Sequence, residues 1–374
     1  MQTFKKSSIF IIGLALFSMF FGSGNLIFPL SIGQLAEENY LWGLSGFIVT
    51  GVLLPFLGVL AMVIYNGDYN RFFATLGKTA GFLFTFAILT VWIPLGSAPR
   101  CITLSFVNVS QYISGIPLWG YSLGYCALLL PLSYRKGRAL DILGYVLTPL
   151  LLLCLGFIVY EGMKLSTGFG PTDHEGTTLM YRGLLDGYHT MDLIASFFFT
   201  STIIVTLKEV SKGATEMKNV IKVTMKACAI GIVILAIVYI GLVTVAAANA
   251  QILVNVPKDQ LLAKLVTHLL GPELRIIASA AVVLACLTTS IALQIVYADF
   301  LTNNVFKGKI SLMTGMIITI IVTYVMSIQG FEGISSLTGP LLEVLYPALL
   351  LLIVWNIIIK PLIGRSECFK LKGA

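Results

Sequence analysis

Residues 22–25 read Gly22-Ser23-Gly24-Asn25 and interrupt an apolar run, residues 8–35, that is long enough to cross a membrane. Two glycines and an asparagine weaken a helix locally, and an unwound turn exposes amide donors and carbonyl acceptors that a regular helix uses internally. Such a turn is tolerated at membrane depth only where it is buried in protein or lines a cavity. The segment therefore predicts a ligand site in mid-membrane, with a small-residue packing notch in an intact helix as the alternative.

The composition of the whole chain is that of a polytopic membrane protein. Of 374 residues, 57% are hydrophobic and 11% are charged, a balance that ordinary water-soluble domains do not have. A bilayer core needs about 20 predominantly apolar residues per helix, and long continuous runs favour helices over barrel strands. The sequence predicts an all-α protein with ten transmembrane helices in one membrane domain, residues 1–374. The predicted spans are residues 8–35, 41–64, 79–102, 116–132, 140–160, 184–207, 223–248, 276–301, 310–328 and 334–359.

The formal charge of +7 does not indicate nucleic-acid binding, because the Lys and Arg residues are distributed unevenly across the predicted membrane. With the N-terminus in the cytoplasm, eighteen of the 24 lie in cytoplasmic segments and six on the other side. This asymmetry follows the positive-inside rule, and an even number of spans predicts that both termini are cytoplasmic. The apolar stretch after Lys5-Lys6 has no small-residue cleavage pattern, so it is predicted to be a span and not a secretory signal.

The ten predicted spans divide into two sets of five. Because five is an odd number, the second set enters the membrane from the opposite side, so repeats over about 8–160 and 184–359 would have inverted topology. Sequence identity between the halves is not visible, and the prediction rests on topology alone.

Three residues of the eighth predicted span share one helical face. Ala285, Thr288 and Thr289 are spaced i, i+3 and i+4. Two hydroxyls and a nearby carbonyl are hard oxygen donors suited to a small alkali cation. The alternative is that each hydroxyl bonds a carbonyl of its own helix, as Ser and Thr usually do in membranes.

The sixth predicted span carries Asp192, and an ionisable side chain within a membrane is expensive and tends to be functional. Asp192 is a site candidate, unless it lies shallow enough to meet water. Phe198 and Phe199, beside Thr200 and Ser201, could wall a pocket for a hydrocarbon side chain. Ordinary apolar packing is the alternative for these phenylalanines.

Three stretches together resemble the bacterial branched-chain amino acid:cation symporter family. They read Met19-Phe20-Phe21-Gly22-Ser23-Gly24-Asn25-Leu26-Ile27-Phe28-Pro29, Gly187-Tyr188-His189-Thr190-Met191-Asp192 and Leu284-Ala285-Cys286-Leu287-Thr288-Thr289. The resemblance extends over essentially the whole chain. It implies membership of the amino-acid/polyamine/cation superfamily and the five-plus-five inverted-repeat fold of the leucine transporter type, with spans 1 and 6 discontinuous.

The resemblance also implies which residues bind the substrate and which bind the cation. The exposed backbone at Gly22 to Asn25 would receive the carboxylate and amino group of the substrate. Carbonyls near Ser18 and Phe21 would form a Na⁺ site, together with Ala285, Thr288 and Thr289.

Two features depart from the family pattern. The family commonly has about twelve spans, whereas this sequence ends soon after the tenth. The fold also breaks its sixth span, yet no glycine occurs between Gly187 and Gly213, so the break is expected somewhere between residues 190 and 202.

The function expected from these observations is secondary active transport in a bacterial plasma (inner) membrane. The protein would import leucine, isoleucine and valine by symport with a cation, Na⁺ in the usual case, through alternating access. The alternatives are a carrier for another small neutral amino acid, including a proton-coupled one, and a receptor that binds amino acids without moving them. No phosphate loop, His-Glu-x-x-His or Gly-x-Ser-x-Gly motif is present. Neither an enzyme nor a cofactor beyond the coupling ion is expected, and the oligomeric state is left open.

Overall fold

A computed structural model describes residues 6–359 except 111, 114, 135–138, 140, 167, 211–215 and 272–274. The described part of the chain is helical and contains no β-strand. Seven helical stretches within it are long and apolar enough to cross a membrane: Ser23–Ile64, Lys78–Val109, Leu143–Lys164, Gly176–Glu209, Met217–Ala247, Ile276–Val305 and Gly330–Ile357. Three apolar helices are shorter: Ser8–Phe20, Leu118–Ser133 and Leu312–Ser327. The two chain termini, predicted to be cytoplasmic, lie outside the described residues.

The α-helices are numbered in chain order. Up to residue 164 they are α1 Lys6–Phe20, α2 Ser23–Ala36, α3 Tyr40–Ile48, α4 Leu54–Ile64, α5 Tyr69–Phe73, α6 Lys78–Trp92, α7 Ala98–Val109, α8 Leu118–Ser133 and α9 Thr148–Lys164. The remaining helices are α10 Gly176–His189, α11 Asp192–Val210, α12 Met217–Ala247, α13 Ala250–Leu253, α14 Leu261–Leu270, α15 Arg275–Phe300, α16 Leu312–Ser327 and α17 Gly330–Val354. Wider π-helical turns occupy Val49–Leu53, Ile93–Ser97, Leu143–Leu147, Leu301–Val305 and Trp355–Ile359.

A break separates α1 from α2 within the first apolar run. Phe21 and Gly22 belong to neither helix, and the backbone at Gly22 has φ −109° and ψ −155°. Asn25, on the first turn of α2, accepts a hydrogen bond from the Gly22 amide through its Oδ1 at 3.0 Å. This contact satisfies one amide that lacks a helical partner. The break includes Gly22 of the predicted segment, whereas Ser23, Gly24 and Asn25 form the first turn of α2.

A second break separates α10 from α11, at Thr190 and Met191. Met191 has φ 63°, in the left-handed region that costs a residue other than glycine roughly 1–2 kcal/mol. The side chain of Met191 is buried, and its amide donates to the Tyr188 carbonyl at 3.1 Å. The break lies at the start of the interval 190–202 that the sequence predicts, and it is made without a glycine.

α3 and α10 pack with their backbones almost in contact. A Cβ atom added to Gly183 would lie 2.0 Å from the carbonyl oxygen of Gly43, and one added to Gly46 would lie 2.1 Å from the carbonyl oxygen of Met180. Such small-residue interfaces let membrane helices approach closely. The hydroxyl of Thr50 adds a hydrogen bond to the Leu184 carbonyl at 2.8 Å. The contact fixes α10, and therefore the entry to the second break, against α3.

The first break is enclosed by three other helices. α1 and α2 both pack against α12, and α1 also contacts α15 and α11. A Cβ atom on Gly33 of α2 would lie 2.3 Å from the carbonyl oxygen of Val243 on α12. These contacts hold the break beside the start of α11 and the middle of α15.

Replacing Gly183 with leucine is expected to lower the melting temperature of the detergent-solubilised protein by several degrees. The new side chain cannot fit unless α3 and α10 separate. The measurement is the loss of the monodisperse size-exclusion peak after heating. Gly156 on α9 is the matched control, because it is exposed and a Cβ atom there meets nothing within 4 Å. Equal melting temperatures for Gly183→Leu and Gly156→Leu would contradict the packing described above.

Candidate functional site

One asparagine side chain connects the two breaks. The Nδ2 of Asn25 donates to both carboxylate oxygens of Asp192, at 2.9 Å to Oδ1 and 2.8 Å to Oδ2. Its Oδ1 accepts the Gly22 amide on the other side. Asn25 and Asp192 are only 2% and 1% exposed. Because Asp192 is the first residue of α11, a single buried amide holds the start of α11 against the start of α2.

Tyr239 of α12 completes this cluster. Its hydroxyl donates to Oδ2 of Asp192 at 2.5 Å and also contacts the Nδ2 of Asn25. The ring stands edge-on to Phe47, with centroids 4.9 Å apart, and lies 6.4 Å from the ring of Phe21. Neither composition nor spacing identifies Tyr239 from the sequence, since it is a single aromatic residue within the long apolar helix α12.

A small cavity lies where the two breaks meet. Its volume is about 30 Å³, which is room for one or two water molecules. The lining residues come from both breaks and from α6, α7, α11 and α15. They are Met19, Phe20, Gly22, Ser23, Gly24, Asn25, Trp92, Ser97, Cys101, Thr190, Asp192, Ala195, Phe199, Thr289 and Leu293. We call this the central cavity. A ligand larger than a few waters can enter it only if the surrounding helices move.

Aromatic rings close one side of the central cavity. Phe199 stacks on Phe20 at 5.9 Å between centroids and lies 5.6 Å from the ring of Trp92. Phe198, 6.1 Å from Trp92, faces a second and larger cavity of about 490 Å³. We call Phe20, Trp92, Phe198 and Phe199 the aromatic layer, because they separate the two cavities.

The larger cavity is lined mainly by polar residues of three regions: the chain around α5, the end of α11 and the end of α15. Tyr69 on α5 packs against Phe198 at 5.6 Å, and its hydroxyl donates to the Oδ1 of Asn304 at 2.8 Å. The hydroxyl of Ser201 donates to the Gly67 carbonyl at 2.5 Å. These contacts tie α5 to α11 and to the end of α15.

Trp92 is a lining residue that the sequence analysis does not single out. It is the last residue of α6 and is followed by the π-helical turn Ile93–Ser97. Such turns occur frequently at functional sites. Pro94 and Gly96 within a predicted span are the signal that could have pointed to it.

The residues predicted to bind substrate divide between the two cavities. Those at the central cavity are Gly22, Ser23, Gly24, Asn25, Asp192 and Phe199. Phe198 and Ser201 line the larger cavity. Thr200 lines neither of these two, and its Oγ1 lies 3.8 Å from the sulfur of Cys228 on α12.

Among the predicted cation ligands, Thr289 and Ser18 are in direct contact. The hydroxyl of Thr289 donates to the Ser18 carbonyl at 3.2 Å, which joins α15 to the last turn of α1. A Cβ atom on Gly22 would lie 3.1 Å from both Oγ1 and Cγ2 of Thr289. The first break therefore rests directly on this threonine.

The other predicted cation ligands make contacts with residues close to them in the chain. The hydroxyl of Thr288 donates to the Ala285 carbonyl at 3.0 Å, which is the self-contained arrangement considered as an alternative. The amide of Phe21 donates to the Phe17 carbonyl at 2.8 Å. The structure brings together Thr289, Ser18 and Gly22, and it leaves Thr288 pointing back along α15.

α2 and α10 border the central cavity on the side away from the aromatic layer. Phe28 lies against Gly24, where a Cβ atom would be 3.3 Å from its ring, and its centroid is 5.6 Å from that of His189. The ammonium of Lys258 lies 5.7 Å from the Phe28 ring centroid and 3.8 Å from Oδ1 of Asp186. Asp186 and Lys258 also line a third cavity, of about 530 Å³.

Comparison with known proteins places this chain in a family. Residues 5–372 match the model of a family described as "Branched-chain amino acid transport protein". The chain is 31% identical over 379 residues to the "Branched-chain amino acid permease BrnQ" of Bacillus subtilis (strain 168), covering 98% of this chain and 84% of that protein. It is 29% identical over 364 residues to the "Branched-chain amino acid transport system 2 carrier protein" of Pseudomonas aeruginosa, covering 96% and 82%.

The fold is also similar to a solved structure. That protein is Mhp1, a nucleobase-cation-symport-1 family transporter, in a closed conformation with bromovinylhydantoin bound. The TM-score is 0.63, and the match covers 94% of this chain and 78% of that one. Since the sequences are 15% identical, this similarity concerns the fold alone.

The small volume of the central cavity predicts how single cysteines will react in a chain whose six native cysteines are replaced by alanine. Thr202 lines the larger cavity. Thr202→Cys should react with a bulky membrane-impermeant maleimide only from the face that the positive-inside rule assigns to the cytoplasm. Thr178 lines the third cavity, so Thr178→Cys should react only from the opposite face. Ala195→Cys, at the central cavity, should react from neither. Equal labelling of Thr202→Cys from both faces would show that the two cavities are connected.

Proposed function

The chain belongs to the branched-chain amino acid transport protein family, and on that basis we propose that it imports leucine, isoleucine and valine by symport with Na⁺. The observation that carries the proposal is the central cavity between two broken helices. Broken helices at mid-membrane offer free peptide groups to a zwitterion and to a cation. A small site of this kind, with a larger cavity towards each side, suits a carrier that exposes its site to one face at a time.

The substrate carboxylate is proposed to bind at the start of α2. Ser23 and Gly24 line the cavity there, and the first amides of a helix carry a partial positive charge that favours an anion. The branched hydrocarbon chain is proposed to lie against the aromatic layer, where Phe20, Trp92 and Phe199 face the cavity. The fit of the side chain to the aromatic layer would separate the affinities of the three substrates only weakly, because one methylene changes the binding free energy by about 1–3 kcal/mol.

The cation is proposed to bind between the Thr289 hydroxyl and the Ser18 carbonyl. Both are hard oxygen donors, and they already lie 3.2 Å apart. Gly22 packs on the same threonine, so an ion held there would order the segment that receives the substrate. Coupling between the two ligands then follows, since each favours the arrangement that the other needs.

Alternating access is proposed to occur by bending at the two helix breaks within one membrane domain. Ten spans in two inverted repeats, about 8–160 and 184–359, would place the broken runs in equivalent positions. With both termini in the cytoplasm of a bacterial inner membrane, the larger cavity faces the cytoplasm, because Lys208 at the end of α11 lines it. Substrate would leave by this route when the aromatic layer opens.

Proton coupling is the second candidate for the driving ion. Asp192 is a carboxylate buried at the site, and buried carboxylates serve as proton relays in many transporters. A carrier for another small neutral amino acid would share the same polar contacts and differ only at the aromatic layer.

Purified protein in liposomes should accumulate labelled leucine when an inward Na⁺ gradient is imposed and should fail to accumulate it when K⁺ replaces Na⁺. The reason is that cation binding orders the break that holds the substrate. The control is an inward proton gradient without Na⁺, which should give only equilibration. Accumulation under the proton gradient alone would favour proton coupling. Leucine uptake that is not inhibited by excess valine or isoleucine would contradict the substrate assignment.

Thr289→Val should raise the Na⁺ concentration for half-maximal leucine uptake by on the order of tenfold, because valine keeps the shape of threonine but loses a hydroxyl ligand to a charged group. The selectivity among leucine, isoleucine and valine should be unchanged. Thr224→Val on α12 is the matched control, since that hydroxyl is buried and bonds the Val220 carbonyl of its own helix at 3.0 Å. A Thr289→Val variant with altered selectivity and normal Na⁺ dependence would refute the cation assignment.

A further inference from the structure

The cluster of Asp192, Asn25 and Tyr239 has a role beyond joining the two breaks. We propose that Asp192 binds the α-ammonium group of the substrate, and that Tyr239 is a positioning residue that holds the carboxylate in the orientation required. The inference rests on the proposed function and deepens it, because it assigns recognition of the amino group to a side chain and not to the unwound backbone of α1 and α2.

The charge of Asp192 is the first argument. The residue is 1% exposed, and among the described residues no Lys, Arg or His lies within ion-pair distance of it. A buried ionised carboxylate without a cationic partner costs several kcal/mol. Its place at the N-terminus of α11 offsets part of this cost. A ligand that brings an ammonium group into the central cavity supplies the missing opposite charge.

The hydrogen bonds of the carboxylate are the second argument. Two carboxylate oxygens offer about four acceptor positions. Asn25 fills one on each oxygen, and Tyr239 fills a second on Oδ2. The hydroxyl of Thr190 also interacts with the carboxylate, although it donates its hydrogen to the Gly187 carbonyl at 2.7 Å. Oδ1 accepts one hydrogen bond, from Asn25, and Asp192 lines the central cavity where a further donor would arrive.

The rigidity of Tyr239 is the third argument. Its side chain is fully buried, and its ring is held by Phe47 and Phe21. The hydroxyl donates to Asp192 and lies against the Nδ2 of Asn25, so it restricts the rotation of the carboxylate. Tyr239 is absent from the residues that line the cavity. It acts on the substrate through Asp192.

This arrangement predicts strong discrimination against leucine without its amino group. That compound, 4-methylpentanoate, keeps the carboxylate and the branched chain but leaves Asp192 without a partner. A site built to pair with a polar group rejects an analogue lacking it by large factors. The wild-type protein should therefore prefer leucine over 4-methylpentanoate by about a hundredfold or more.

The test compares leucine with 4-methylpentanoate as unlabelled ligands that raise the melting temperature of the purified full-length protein at saturating Na⁺. Asp192→Asn should lose most of the preference for leucine, through weaker leucine binding. Tyr239→Phe should weaken leucine binding about tenfold and leave the affinity for 4-methylpentanoate within twofold. In liposomes the same variant should raise the KM for leucine with little change in the maximal rate.

Tyr297→Phe is the matched control. Tyr297 is a buried tyrosine of α15, but its hydroxyl pairs with Thr90 at 2.9 Å, away from the central cavity. This variant should keep the wild-type preference, whereas a general loss of stability would affect both tyrosine variants alike. If Asp192→Asn does not fold, the preference ratio of Tyr239→Phe alone decides.

The outcomes separate this inference from the proposed function. A wild-type protein that binds none of leucine, isoleucine and valine would remove the proposed function. A wild-type protein that binds leucine, together with a Tyr239→Phe variant of unchanged preference, would overturn the assignment of the ammonium group and leave the transport proposal standing.

Discussion

The structure depends on hydrogen-bond partners for the peptide groups that lie outside the helices in the middle of an apolar bundle. Lipid supplies no partners for these groups, so the protein must. Asn25 does this at the first break by accepting the Gly22 amide, and it also donates to the side-chain carboxylate of Asp192 at the second break. Since one side chain serves both, neither break can rearrange without changing the surroundings of the other. Asn25 and Asp192, which join the two breaks, also line the central cavity.

The sequence predicts the first break because its cause is local. Glycines at 22 and 24 weaken the helix, and Asn25 supplies a capping side chain within three residues. The second break has no such local cause. Met191 adopts a left-handed conformation that residue type alone disfavours, and the packing of α10 on α3 and of α11 on α4 imposes it. Tertiary contacts of this kind leave no sequence pattern, which is why the sequence gives only an interval for the second break.

The same distinction explains what could be predicted of the site. The carboxylate at Asp192 is conspicuous in any apolar span, and the spacing of Thr288 and Thr289 places them on adjoining parts of one helix. Spacing does not say which hydroxyl reaches another helix, and the structure shows that Thr289 contacts Ser18 while Thr288 bonds within α15. Tyr239 lies 47 positions from Asp192 along the chain, and only the packing of α12 against α2 and α11 brings them together.

The glycine contact between α3 and α10 has a mechanical consequence. α10 is bound to α3 at Gly183, and α11 is bound just as closely to α4, where a Cβ atom on Gly58 would lie 2.4 Å from the hydroxyl of Ser196. Each half of the broken run is thus paired with one half of its neighbour, and the neighbour itself has a wide turn at Val49–Leu53. The four half-helices therefore form two closely packed pairs, and a change of angle between the pairs would fall at this turn and at the break beside it, residues 190–191.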